Sequence, residues 1–273
     1  MPLNVEISGR GYPILCLHGH PGNSRCMSVF TENLAARYTT IAPDLRGYGQ
    51  SRTSQPFAMQ DHLDDLTTLL DRLKIEHCLV LGWSLGGILA MELALQQPHR
   101  VTGLILLATA ARPRGSHPPV TWQDNALTAI ASMINKAAPG WQWNIETWGQ
   151  RSLYRYLIQQ HTPQAYQRLA DEAFPAFWQT SRQAQQALSQ ALRSGYDRLP
   201  DIARITVPTL MLCGDCDRHI TAASSQETAR QLPLNTLTTY PHTAHLFPWE
   251  IPDQVLSDID HWLQTHFSSL KTA

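Results

Sequence analysis

The stretch Cys78-Leu-Val-Leu-Gly82-Trp83-Ser84-Leu85-Gly86-Gly87 admits few folds. An apolar run from Cys78 to Leu81 reads as a strand and Leu85 to about Gln96 as a helix, joined by a very tight turn. Gly82, Ser84 and Gly86 fit G-x-S-x-G, a bend that lifts one serine hydroxyl above the end of a sheet. Side chains two positions either side of the serine would strike the adjoining strand or helix, which gives the glycines a steric reason. The Leu85 N–H opens a helix, where partial positive charge suits a developing oxyanion. Alone, such a turn is as consistent with structure as with chemistry; its place between strand and helix favours chemistry.

The alternation extends along the chain. Asn4–Ser8 is an expected edge strand, Pro13–Leu17 an unbroken apolar run, and Thr40–Ala42 and Val101–Ala108 are further strands. Helices are expected at about Met27–Tyr38 and at His62–Leu73, where Leu63, Leu66, Leu69, Leu70 and Leu73 recur at helical spacing. After Arg112 the rhythm stops. From there to about Pro200 no strand is expected. Four helices are, marked by Trp122, Ala126, Ile130, Met133 and Ile134; by Leu153, Leu157 and Ile158; by Tyr166, Leu169 and Ala173; and by Ala184, Leu188, Ala191 and Leu192. Strands resume at Val207–Cys213 and Thr236–Tyr240, with helices at about Ala222–Leu232 and Gln254–His266. The pattern predicts an α/β fold, a mostly parallel central sheet with helices on both faces. Residues 1–111 and 201–273 would form the core, and 112–200 an inserted helical cap.

Bulk properties narrow the functional classes. A chain of 273 residues is long enough for one such domain with an insertion. A formal net charge of −1 gives no reason to expect nucleic acid or an anionic membrane as partner. The first residues carry no signal-peptide pattern, and no apolar run is long enough to span a bilayer. Five cysteines cannot all pair, and three lie in expected buried strands, which suits a reducing cytoplasm. Cys213-Gly-Asp-Cys216 has C-x-x-C form, but no second cysteine pair exists to complete a zinc site, so the spacing is read as coincidence.

A serine hydroxyl needs a base, usually an imidazole oriented by a carboxylate. In a parallel sheet the partners belong in loops beyond the carboxyl ends of the strands. Two loops qualify: Gly214-Asp215-Cys-Asp217, and His242-Thr-Ala-His245-Leu-Phe-Pro248. The loop after Ala108 has no carboxylate, so the acid must come from the first of these. Both Asp215 and Asp217, and both His242 and His245, are candidates on these grounds.

Five motifs in order now resemble the α/β-hydrolases, specifically small single-chain, esterase-like members with a helical cap. They are His18-Gly-His20-Pro-Gly22, Asp44-Leu-Arg46-Gly-Tyr-Gly-Gln-Ser51, the elbow at Ser84, Gly214-Asp-Cys-Asp217, and His245 followed by Glu250-Ile-Pro252. The resemblance covers the chain apart from the cap. It implies Ser84 as nucleophile. The family's glycine-to-acid spacing implies Asp217 as acid, and its histidine five residues before Glu-x-Pro implies His245 as base. The oxyanion hole would be the backbone N–H groups of His20 and Leu85; His20 departs from the apolar or aromatic residue common there. His18, Asp44 and Arg46 are expected to brace loops. No metal and no organic cofactor is implied.

The elbow is most similar to that of the pimeloyl carrier-protein methyl ester esterases, from which Pro21-Gly22 departs. The expected reaction is cleavage of small to medium carboxylic esters, thioesters or lactones through an acyl-serine. The alternatives are perhydrolase or C–C bond hydrolysis at the same site, or ligand binding without turnover. Trp83, Trp141, Trp143 and Trp178 are candidate pocket residues. Nine Lys or Arg against five Asp or Glu give the cap a net charge of +4, which would suit an acidic acyl carrier protein as well as a free ester. A monomer or homodimer is expected.

Overall fold

Apolar runs without polar alternation must be covered on both faces. In the computed structural model, which describes residues 1–268, they are. Strands β1 (Val5–Ser8), β2 (Pro13–Leu17), β3 (Thr39–Pro43), β4 (Cys78–Trp83), β5 (Val101–Leu107), β6 (Thr209–Gly214) and β7 (Asn235–Tyr240) form one sheet in the order β1-β3-β2-β4-β5-β6-β7. β1 runs antiparallel to β3, and every other pair is parallel. The helices are α1 (Ser28–Leu34), α2 (Met59–Arg72), α3 (Leu85–Gln96), α4 (Trp122–Ala137), α5 (Gln142–Thr147), α6 (Tyr154–Leu157), α7 (Pro163–Arg168), α8 (Phe174–Trp178), α9 (Arg182–Arg193), α10 (Ala222–Gln231), α11 (Phe247–Glu250) and α12 (Pro252–Phe267).

Successive strand residues point to opposite faces, so each run feeds two cores. Ile14 and Cys16 of β2 and Leu79, Leu81 and Trp83 of β4 enter one, with Phe30 of α1 and Ile259 of α12. Leu15, Leu17, Cys78 and Val80 enter the other, with Leu66 and Leu70 of α2 and Leu89 and Leu93 of α3. α3 is buried continuously from Leu85 to Ala94, so it carries no apolar stripe for periodicity to detect. α1 is shorter than its sequence suggests. A 3₁₀ turn at Ser24–Met27 precedes it, and the chain must leave the helix at Leu34 to reach β3 at Thr39.

The bend between β4 and α3 leaves no room for methyl groups. A Cβ at Gly82 would lie 2.3 Å from the Gly86 carbonyl oxygen, and one at Gly86 would lie 2.0 Å from that of Leu17. Close approach therefore dictates both glycines and locks α3 against the end of β2.

Between β5 and β6 the described residues form only helices and turns, with a π-helical turn at Leu169–Ala173. α4 forms where its apolar spacing predicts, but several of the apolar side chains that mark it, Trp122, Ile130 and Met133, face outward. Trp122 and Met133 are 76% and 66% exposed, whereas Asp124, Ala131 and Asn135 are buried. Asp124 pairs with Arg155 at 2.6 Å, and Asn135 Nδ2 donates to the Tyr166 carbonyl at 2.7 Å. The short neighbouring helices leave polar groups that need partners, and that need outweighs burial of α4's apolar stripe. α5 and α11, each too short to show a period, were absent from the sequence expectation.

Cys213 is buried and Cys216 partly so, and both are free thiols. Among the described residues no helix is long and apolar enough to cross a membrane. Among them, too, no group of three or more His, Cys, Asp or Glu side chains is arranged to hold a metal ion.

Candidate active site

Parallel strands that end on one side bring their following loops together. β4 runs into Ser84, which holds φ 54° and ψ −115°, a costly conformation for a residue with a Cβ. Neighbouring bonds hold it there. The Ser84 N–H donates to the Leu107 carbonyl at 2.8 Å, and Thr109 Oγ1 donates to the Ser84 carbonyl at 2.8 Å. The loop after β2 passes over the serine: a Cβ on Gly19 would stand 3.1 Å from Ser84 Cβ and 3.8 Å from its Oγ. Neither the His20 nor the Leu85 N–H finds an acceptor among the described hydrogen bonds, Leu85 because it opens α3.

The loops after β6 and β7 join Asp217 to His245. Asp217 Oδ2 accepts from His245 Nδ1 at 2.8 Å, while Oδ1 accepts the N–H groups of His219 at 2.8 Å and Ile220 at 3.0 Å. Carboxylate oxygens only accept, so the imidazole proton sits on Nδ1 and Nε2 presents a lone pair. Asp215 is exposed and accepts only a long bond, 3.4 Å, from the Thr243 N–H. His242 is exposed, its carbonyl accepting from Gln160 Nε2 at 3.1 Å. Trp83 Nε1 donates to the His245 carbonyl at 3.3 Å, tying the imidazole's loop to the residue before the serine. Ser84 Oγ and His245 share no hydrogen bond among the described residues; such pairs are often loose until substrate closes on them.

Sequence reasoning used Glu250 only as a landmark, and the structure gives it work. Its Oε1 accepts the Ala244 N–H at 2.9 Å, and its Oε2 accepts those of Gln159 and Gln160 at 3.1 and 2.6 Å. One buried carboxyl thereby fixes the residue before His245 to the chain following α6. Burial raises its pKa, against the lowering effect of those backbone donors. His219 was also missed; its ring lies 4.7 Å from that of His245, centroid to centroid. Both residues sit at motif-adjacent positions, yet Glu250 reaches back to Gln159 and Gln160 and His219 meets His245 from a different loop, contacts that leave no local spacing to read.

The bracing residues are tightly held. His18 Nε2 accepts the Leu45 N–H at 3.0 Å, so its Nδ1 carries the proton and donates to the Gly19 carbonyl at 2.8 Å. Asp44 accepts from the Ser24 and Gln50 N–H groups, both at 2.8 Å, and Arg46 forks onto Asp65 at 2.6 and 2.7 Å. Of the four candidate tryptophans, only Trp83 is buried beside the site. Trp141 and Trp143 are half-exposed and pack on each other, centroids 4.9 Å apart. Trp178 is 71% exposed and its ring contacts are Phe174 and Phe177.

Burial lowers the pKa of His18 and of His62 to about 4. His62 Nδ1 is moreover buried without a hydrogen-bond partner. A histidine that ionises normally when unfolded but stays neutral when folded gives up stability as pH falls from its unfolded value toward its folded one. Each of the two should therefore cost about 3 kcal/mol between pH 7 and pH 4. Urea denaturation across this range should show the midpoint falling with acidification. His20 and His219 are pushed the same way, so His62→Phe, at a ring that packs beside Tyr48 and Phe57, should remove one histidine's share of that fall, about 3 kcal/mol. Identical slopes for variant and parent would disprove the assignment to His62.

With the geometry in hand, comparison with known proteins is informative. Residues 12–252 match the family model described as alpha/beta hydrolase fold. A pimeloyl-[acyl-carrier protein] methyl ester esterase of Nitrosomonas europaea is 29% identical over 94% of this chain and 98% of its own length. A 2-(acetamidomethylene)succinate hydrolase of Mesorhizobium japonicum is 25% identical over 96% of this chain and 91% of its own. Among solved structures, a thermophilic esterase from Thermogutta terrifontis superposes with a TM-score of 0.71 at 26% identity, covering 97% of this chain and 94% of that one.

Proposed function

The chain belongs to the alpha/beta hydrolase fold family, and from that premise we propose that it hydrolyses carboxylic esters of small to medium acyl groups through an acyl-enzyme on Ser84. The observation that carries the reading is the 2.8 Å bond that leaves His245 Nε2 as the basic nitrogen, on a loop anchored beside Ser84. In the proposed cycle His245 takes the Ser84 proton as Oγ attacks the carbonyl, and Asp217 keeps the imidazole in the useful tautomer. The oxyanion receives the free N–H groups of His20 and Leu85. His245 returns the proton to the leaving alkoxide, and water then repeats the sequence on the acyl-serine. Residues 112–200 act as a cap over this site. The similar esterases from Nitrosomonas europaea and Thermogutta terrifontis support ester chemistry.

For the substrate we favour a free ester over one borne on an acidic carrier protein. Four of the cap's nine basic side chains are held in ion pairs and so are not free to meet a carrier: Arg112 pairs with Asp197 and Glu227, Arg155 with Asp124, Arg168 with Glu172, and Arg198 with Glu92 and Asp201. The test is a panel of acyl esters, thioesters and lactones, combined with labelling by a fluorophosphonate and peptide mapping. Turnover of short and medium esters with label on Ser84 is the expected result. No turnover and no label would instead mark a ligand-binding module.

A further inference from the structure

One group beside the base has no part in the reaction as described. His219 sits two residues after Asp217, and only its backbone N–H serves that carboxylate. Its ring meets His245 edge to face, centroids 4.7 Å apart at 70°. On its other side it stacks with His117, 5.9 Å away and only 4° from parallel, and His117 stacks in turn on Tyr156 at 5.5 Å and 25°. Tyr156 is held from beyond. The Arg155 guanidinium lies 4.3 Å from its ring centroid and donates to its hydroxyl at 2.9 Å, while itself paired with Asp124 of α4. Backbone bonds clamp the two chain segments that carry the histidines: Ser116 N–H to the Arg218 carbonyl and Thr221 N–H to that of Arg114, both 2.9 Å. A continuous column of rings thus runs from His245 to the helical segment.

We propose that His219 is a positioning residue for His245, and that the column it begins couples the setting of this base to residues 112–200. An edge-on aromatic wall fixes the plane of the imidazole in a way a hydrogen bond at Nδ1 alone does not, since rotation about that bond remains free. The groups around His219 are His245, Asp217, His117 and His20. His219 keeps an exposed edge, and its pKa is lowered from the ordinary histidine value, chiefly by the protein packed around it and next by the neighbouring His245. It therefore acts as a flat ring and not as a proton carrier. The inference rests on His245 being the base of the proposed cycle.

Three variants test it: His219→Ala, His219→Phe and His117→Ala, each compared with the parent in steady-state kinetics and in fluorophosphonate labelling rate per folded molecule. His219→Ala should lower kcat by about 10- to 100-fold, with KM changed by less than about twofold. His219→Phe should restore most of that loss and give a pH profile that superimposes on the parent's. His117→Ala should fall between them. Parent-like kcat in His219→Ala overturns the positioning role. A His219→Phe variant as slow as His219→Ala, or one with a shifted pH limb, shows that the imidazole's proton matters and overturns it too. Parent-like kinetics in His117→Ala overturn the coupling along the column. If the parent itself is not labelled at Ser84, the failure lies with the proposed cycle and not with His219.

Discussion

Ser84→Ala should lower kcat for a small acyl ester by about 10⁴- to 10⁶-fold and abolish fluorophosphonate labelling. Its unfolding free energy should stay within about 0.5 kcal/mol of the parent. The dissociation of activity from stability follows from the geometry. Ser84 is held by backbone bonds, from its N–H to Leu107 and from Thr109 and the first turn of α3 to its carbonyl, and alanine keeps them all. What alanine removes is the hydroxyl alone. Ser84→Gly sharpens the test, because only the side chain makes φ 54° costly. Glycine should be as inactive as alanine yet more stable than it by about 1 kcal/mol. Turnover in Ser84→Ala within a hundredfold of the parent would show that the nucleophile lies elsewhere.

The parts of this molecule that were legible in its sequence are those where one residue's environment is set by its neighbours. β2 and β4 announce themselves because strands covered on both faces need every residue apolar, and the elbow because a Cβ on either of its two glycines would lie 2.0 or 2.3 Å from a backbone oxygen. α3 was readable only from its place after the elbow, since a helix buried on all sides has no stripe. α4 misled. Its apolar spacing located the helix but not its buried face, because the Tyr166 carbonyl and the Arg155 guanidinium draw Asn135 and Asp124 inside. The choice between Asp215 and Asp217 rested on a resemblance. No local feature separates two aspartates two residues apart; the separation comes from which of them the backbone N–H groups of His219 and Ile220 can reach. His117, His219 and Tyr156 meet only through the fold, so no motif search would pair them.

Asp217→Asn is the more discriminating of the large losses, because the amide cannot satisfy both sides of its site. The Oδ1 position faces two N–H donors, at 2.8 and 3.0 Å, so the amide oxygen must occupy it. The amide NH₂ then faces His245 Nδ1, which must accept, and the imidazole proton moves to Nε2, the nitrogen that should serve as base. Turning the amide over sets NH₂ against the His219 and Ile220 N–H groups and leaves both unsatisfied. Either way kcat/KM should fall by about 10³- to 10⁴-fold, while stability is nearly retained in the first orientation. Asp217→Ala supplies the contrast. It strands those two backbone donors and should cost about 1–3 kcal/mol of stability as well as activity. Asp215→Asn, on an exposed side chain with one long bond, should leave kcat/KM close to the parent's. If instead Asp217→Asn kept activity within tenfold and Asp215→Asn lost it, the carboxylate that orients His245 would be the wrong one of the pair, and the tautomer inferred from the 2.8 Å bond would not be the one that reacts.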